Sequence, residues 1–189
     1  MSAAAGFLIA GRNCDGCDLC CTVNSVAELG KPQNMACVHC VAGKGCGIYE
    51  TRPGACRSFY CVYRTSEALG EEWKPSRANF VVAADPGGSR ISIFVDPKFP
   101  EAWRDEPYLS AFHAWSQAGL RMSGQVVVFV SHHAFVILPD RIADLGVLEP
   151  DDLIITEFVW TPTGFRMEPF KAGPDDPRAK RFLAGLGPA

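Results

Sequence analysis

NFVVAADPGGSRISIFVDP, residues 79–97, decides the fold. Two apolar, β-rich runs (79–85 and 90–97) flank the turn signal PGGS, which predicts a strand, a tight turn and a second strand. Working outward toward the C-terminus, EAWRDEPYLSAFHAWSQAGL (101–120) predicts a helix, with Leu109, Phe112 and Trp115 at roughly helical spacing. QVVVFVS (125–131) and AFVILPD (134–140) predict another hairpin. DLIITEFVWT (152–161) and GFRMEPF (164–170) predict a last pair that turns at Pro162 and Thr163. Asp176 and Pro177 mark the start of a short helix over 177–185. The expected class is α+β, with an antiparallel sheet and one main helix in a domain over 79–170 and a tail over 171–189.

Toward the N-terminus the texture changes. Residues 63–78 read as a polar connector with a short helix near Ser66–Gly70. Residues 1–62 hold all nine cysteines: Cys14, Cys17, Cys20, Cys21, Cys37, Cys40, Cys46, Cys56 and Cys61. This segment is rich in Gly, shows little apolar periodicity, and gives at most one helical turn at SVAEL (25–29). So few large apolar side chains cannot pack a core alone, so the lobe needs a staple.

Bulk properties remove several function classes. The 189 residues carry a net charge of −3 and a pI of about 5.8, which is no basic footprint for nucleic acid or an anionic membrane. The longest apolar runs, Phe80–Ala84 and Val126–Val130, are strand-length, far below the roughly 20 residues of a membrane helix. The start, MSAAAGFLIAGRNC, lacks a basic residue ahead of a short apolar run, so it reads as a lead-in strand or coil and not as an export signal. The expected compartment is the cytoplasm. There, clustered cysteines act as metal ligands more readily than as disulfides.

The spacing of the cysteines carries the chemistry. A C-x2-C turn delivers two sulfurs to one side of a tetrahedral ion, and Cys14/Cys17 and Cys37/Cys40 both qualify. The unbroken C-x2-C-x2-C of Cys14, Cys17 and Cys20 also suits one corner of an iron–sulfur cluster whose fourth ligand comes from a distance. Cys21 then points elsewhere. Nine cysteines suffice for two four-thiolate centres with one thiol spare. Thioredoxin-type chemistry fits poorly, because Gly16 sits in a loop with further cysteines following.

The blocks CDGCDLCC (14–21) and CVHC…GCGIYETRPGACRSFYC (37–61) resemble the bacterial YkgJ-like CxxCxxCC family, described as zinc- or iron-chelating. The resemblance spans about a third of the chain and implies metal binding without implying a reaction. It carries the ligand role to Cys14, Cys17, Cys20, Cys21, Cys37, Cys46, Cys56 and Cys61. Cys40 stands where the family often has Leu, so it is a possible ligand only.

Around the ligands, Arg52 and Arg57 flank Cys56 and are placed either to donate hydrogen bonds to thiolate sulfur or to pair with Glu50. His39 is expected to hydrogen-bond beside the metal. Tyr49 and Phe59 supply apolar cover. His132 and His133 read as exposed hairpin residues, His113 as half-buried on the helix, and Trp103, Trp115 and Trp160 as core or groove. The leading expectation is a cytoplasmic metal-binding protein with one or two cysteine-ligated centres, iron–sulfur preferred over zinc. Its α+β domain is an interaction or substrate platform for a protein partner the sequence does not identify. The alternatives are an iron–sulfur redox or protein-modifying enzyme and a metal-handling protein.

Overall fold

The structure is a computed structural model that describes residues 8–85, 87–120, 124–162 and 164–185. The start of the lead-in (1–7), Pro86 of the first turn, Thr163 of the last turn and the end of the tail (186–189) lie outside the described residues.

In chain order, the lobe contains α1 (Leu19–Val23), a 3-10 turn at Ala27–Leu29, the short strands β1 (Cys40–Val41) and β2 (Gly45–Cys46), and α2 (Gly54–Ser58). Then come α3 (Val62–Thr65), α4 (Pro75–Ala78), β3 (Phe80–Ala84) and β4 (Arg90–Val95). The main helix α5 (Tyr108–Gly119) leads to β5 (Gln125–Val130), β6 (His133–Ile137) and β7 (Ile142–Val147). The chain ends with β8 (Leu153–Thr161), β9 (Gly164–Ala172) and α6 (Pro177–Gly185).

The α+β class holds. β3 to β7 form one five-stranded sheet in sequence order, and β8 pairs with β9 in a separate hairpin. The sheet is mixed, not purely antiparallel. β4 and β5 run parallel, with Arg90 opposite Gln125 and Val95 opposite Val130, while the other three pairs are antiparallel. The reason is α5. A helix between two strands carries the chain back to the same end of the sheet, which a hairpin cannot do.

Alternation along the strands sets two faces. Phe80, Val82, Ile93, Val95, Val126, Val128 and Ile137 face Trp103 and Phe112 in the largest core. The supposed connector belongs to this core: Tyr63, Leu69, Trp73 and Ala78 are buried in it. Trp73 meets Tyr108, Phe112 and Phe80 edge-on. The expected helix near Ser66–Gly70 is absent; helix flanks it instead, at α3 and at a 3-10 turn over Glu71–Trp73.

The opposite face is shared. Val127, Ala134, Val136 and Leu138 are covered by Ile154 and Met167 of the β8–β9 hairpin. Val81 and Phe94 are covered by Leu19 and Val23 of α1, with Cys20, Phe59 and Cys61 alongside. The cysteine lobe is therefore docked on the sheet, on the face away from α5. Among the described residues no helix is long and apolar enough to cross a membrane.

Candidate metal centre

Backbone geometry builds the site first. The Cys17 N–H donates to the Cys14 carbonyl and the Cys40 N–H to the Cys37 carbonyl, both at 3.0 Å, so each C-x2-C segment is a closed turn. The Cys37 N–H donates to the Cys21 carbonyl at 3.0 Å and ties the second turn to α1. Gly45 has φ +95°, and a side chain there would lie 3.4 Å from the Cys14 carbonyl and 3.5 Å from that of Cys17. Glycine lets β2 cross close under the first turn. The Glu28 carboxylate accepts from the N–H groups of Gly54 and Ala55 at 3.0 and 3.1 Å, which anchors the start of α2 and hence Cys56.

These elements surround one cavity of about 420 Å³. Cys14, Cys17, Cys20, Cys21, Cys37, Cys46, Cys56 and Cys61 all line it. All nine cysteines are free thiols and half-buried. Phe59 and Phe94 contribute apolar wall, so the sheet itself closes part of the cavity. Cys40 is not in the wall; it pairs with Cys46 across β1 and β2. The space matches the ~300–1,000 Å³ of small-ligand and cofactor sites.

The thiols influence one another strongly. Cys20 donates to Cys21 and is also desolvated, so its pKa is pushed up. Cys21 accepts that hydrogen bond and is held down at about 7 despite burial. Burial raises Cys17 and Cys56, and pushes Cys40 and Cys61 up to about 11. A thiol kept neutral by desolvation is one that a cation would convert to thiolate, because metal ligation displaces the proton.

Two cations answer this cluster. Lys31 is 7% exposed, and its Nζ donates to the carbonyls of Thr22 and Pro32 at 3.0 and 3.1 Å and to that of Asn24. Burial lowers its pKa, while Cys37, Cys21, Cys20 and Cys56 push it back up. Arg64 Nη1 donates to Cys14 Sγ at 3.4 Å, and Arg64 Nε to the Arg12 carbonyl at 3.2 Å. Arg12 in turn donates to the carbonyls of Tyr63, Ser66 and Leu69, stitching the lobe to the buried segment below it.

The expected helpers are placed differently. Arg52 lines the cavity but donates to the carbonyls of Cys56 and Tyr49, and stacks 3.7 Å from the Tyr49 ring. Arg57 is exposed and does not line the cavity. His39 lines it, and its carbonyl accepts from the Gly47 N–H at 2.8 Å. The residue that reaches sulfur is Arg64, fifty positions from Cys14 in sequence. Its only signal was its position three residues after Cys61. Phe59 gives apolar cover as expected; Tyr49 also lines the cavity, though it is exposed.

The other histidines stand apart from the cavity. His113 Nδ1 lies 2.6 Å from the Leu138 carbonyl, and His133 stacks on Phe135 with Nε2 2.5 Å from Asp144 Oδ1. Trp103 is fully buried and Trp115 packs on the same core, but Trp160 is 82% exposed on β8.

Among the described residues no three His, Cys, Asp or Glu side chains converge closely enough to hold a metal ion as they stand. The donor set nevertheless fits a thiophilic metal in kind and number, since soft thiolates select zinc, copper(I) and iron–sulfur centres. Four thiolates on a zinc ion at about 2.3 Å require sulfurs roughly 3.8 Å apart, so a single ion would draw the walls inward. No protein family, curated protein or solved structure matches this chain.

Proposed function

We propose that this chain is a cytoplasmic metal-binding protein whose N-terminal lobe holds cysteine-ligated iron as an iron–sulfur centre, with the α+β domain as its platform. One observation carries the reading: eight thiols line a single cavity of about 420 Å³. That is more sulfur and more space than one four-coordinate ion uses. The resemblance of 14–21 and 37–61 to the YkgJ-like family supports the same chemistry, and the abundance of reduced thiols suits a reducing compartment.

Cys14, Cys17, Cys20, Cys21, Cys37, Cys46, Cys56 and Cys61 are the ligand set. When bound, an iron–sulfur centre supplies one-electron transfer at a potential set by hydrogen bonds, charge and solvent access. Arg64 is poised to hydrogen-bond the Cys14 sulfur. Lys31 provides positive charge beside Cys37 and Cys21. Phe59 and Phe94 keep water from the sheet side. Zinc is the second reading, favoured by the two closed C-x2-C turns.

Anaerobic purification with iron, zinc and acid-labile sulfide analysis tests the reading. Brown protein with iron and sulfide in equal amounts is the expected result. A colourless protein with stoichiometric zinc overturns the iron–sulfur assignment, and protein without either metal overturns metal binding.

A further inference from the structure

We propose that the cavity holds two four-thiolate centres: one on Cys14, Cys17, Cys20 and Cys61, the other on Cys21, Cys37, Cys46 and Cys56, with Cys40 outside both. The inference rests on the metal-binding reading above and goes further by dividing the ligands.

The first set is assembled around Arg64. Its side chain donates to Cys14 Sγ and its backbone N–H to the Cys61 carbonyl at 2.9 Å, so one residue joins two distant cysteines. The closed turn brings Cys17 beside Cys14. Cys20 and Cys61 pack against the same apolar group of Leu19, Val23 and Val81, on the sheet side of the cavity. The charges that act most on Cys61 from within the cluster are Cys17 and Cys14.

The second set is assembled around Lys31. The Cys37 N–H bonds to the Cys21 carbonyl, and the Gly47 N–H to the His39 carbonyl, which holds Cys46 against the 37–40 turn. Glu28, three residues before Lys31, anchors the helix that carries Cys56. Beyond burial, the thiols that act on Cys56 are Cys21, Cys46 and Cys37, and those that act on Lys31 are Cys37, Cys21, Cys20 and Cys56, three of the four from this set.

The division falls between Cys20 and Cys21, both on α1. At 3.6 residues per turn, successive helical side chains diverge by about 100°, so neighbours address different walls. Adjacent cysteines therefore serve separate centres more readily than one. The two thiols still act strongly on each other, so the centres adjoin. Each set has its own cation, Arg64 at Cys14 or Lys31 beside Cys37 and Cys21. Cys40 does not line the cavity; its thiol neighbours Cys21 from outside the wall, and its backbone role in the closed turn survives replacement of that thiol.

Cobalt(II) titration of the full-length apo protein under anaerobic conditions tests the division. The expected wild-type endpoint is two cobalt ions with tetrahedral thiolate absorption. Cys17→Ser and Cys61→Ser should each lose half of the bound cobalt, and the double variant no more than half. Cys46→Ser and Cys56→Ser should behave likewise, the Cys17→Ser/Cys46→Ser pair should lose nearly all, and Cys40→Ser should retain both ions. A wild-type endpoint of one cobalt overturns the division even if the variants do not fold. So does a cross pair no worse than its single variants, which means one shared site. Absence of any cobalt–thiolate absorption overturns the metal reading itself.

Discussion

The five-stranded sheet and the cysteine lobe bury their side chains to very different extents. In the sheet, its covering helix and the 3-10 turn ahead of that helix, Phe80, Ile93, Phe112 and Trp103 are wholly withdrawn from solvent. Among the described residues of the lobe, only Leu19, Val23 and Val26 are buried hydrophobics, while all nine cysteines stay half-exposed, eight of them around a hollow. The sheet is held by apolar area removed from water, at about 25 cal/mol per Å². The lobe is held by backbone turns, by the Arg12, Lys31 and Glu28 contacts, and by its footing on Val81 and Phe94. One chain thus carries a region packed by its own side chains and a region that encloses a hollow, which the proposed metal would fill.

The largest test of that contrast is metal removal. Binding energy for structural thiolate sites reaches about 10–16 kcal/mol in small metal-folded peptides, where it serves as folding energy. Stripping the metal with a chelator should abolish hydrogen-exchange protection across 14–61 while β3 to β6 retain theirs. The exception should be the patch around Val81 and Phe94, which loses its cover. Protection lost equally in sheet and lobe would show one cooperative unit, and protection unchanged in the lobe would show that no staple is needed.

A core truncation should act the other way. Phe80→Ala is expected to cost about 3–5 kcal/mol, since the ring meets Trp73, Tyr108 and Phe112 on every side. Urea unfolding should then show both regions falling together, because the lobe stands on the sheet. Leu19→Ala should sit near about 2 kcal/mol, the low end for such truncations, because a hollow lobe can settle into the space. Equal losses at the two positions would contradict the contrast.

The same contrast explains what could be read from the sequence. β3, β4, β5, β6, β8, β9 and α6 were legible because alternation, turn residues and the Asp176–Pro177 start are local signals. The parallel pairing of β4 with β5 was not, since pairing depends on where α5 packs. β7 was missed because Asp144 and Gly146 break its apolar pattern, Gly146 at φ +71°. Tyr63, Leu69 and Trp73 looked like a linker because their spacing follows no single period among Glu and Lys. In the lobe, spacing singled out Cys14, Cys17, Cys20 and Cys37 but also Cys40, which is not in the wall; Cys21, Cys46, Cys56 and Cys61 came only with the family resemblance, and neither signal gave the cation at sulfur. Proximity in sequence put Arg52 and Arg57 beside Cys56, yet side-chain direction is set by the fold, and it is Arg64 that reaches Cys14.

A subtler probe stays within the lobe. Glu28→Ala leaves the Gly54 and Ala55 N–H groups without their acceptor, a loss comparable to a helix cap, about 0.5–2 kcal/mol. If polar stitches hold the lobe, this exposed carboxylate should matter more than its burial implies. Hydrogen exchange at 54–58 should accelerate, and affinity for metal at Cys56 should fall, with the sheet unaffected. No change at 54–58 would assign the lobe's order to its footing on the sheet alone.

The smallest expected effect is on the sheet, and it concerns acid. The Gly146 N–H, 2.8 Å away, and His133 hold the Asp144 carboxyl below its usual pKa. A carboxyl depressed in the folded state adds stability above its unfolded pKa, and that stability is lost as pH falls through the folded value. The pair is exposed, so its contribution is screened and amounts to about 0.2–1 kcal/mol. Asp144→Asn should therefore lower stability slightly at neutral pH and equal the wild type in strong acid, where both side chains are neutral. If the lobe holds metal as proposed, it should respond to acid much earlier, because ligating thiolates would take up protons and release the metal. A pH series followed by tryptophan fluorescence for the sheet and by metal absorption for the lobe should give two separate transitions, the lobe's at the higher pH. Coincident transitions, or a large Asp144→Asn effect, would mean that the sheet depends on charge as the lobe does.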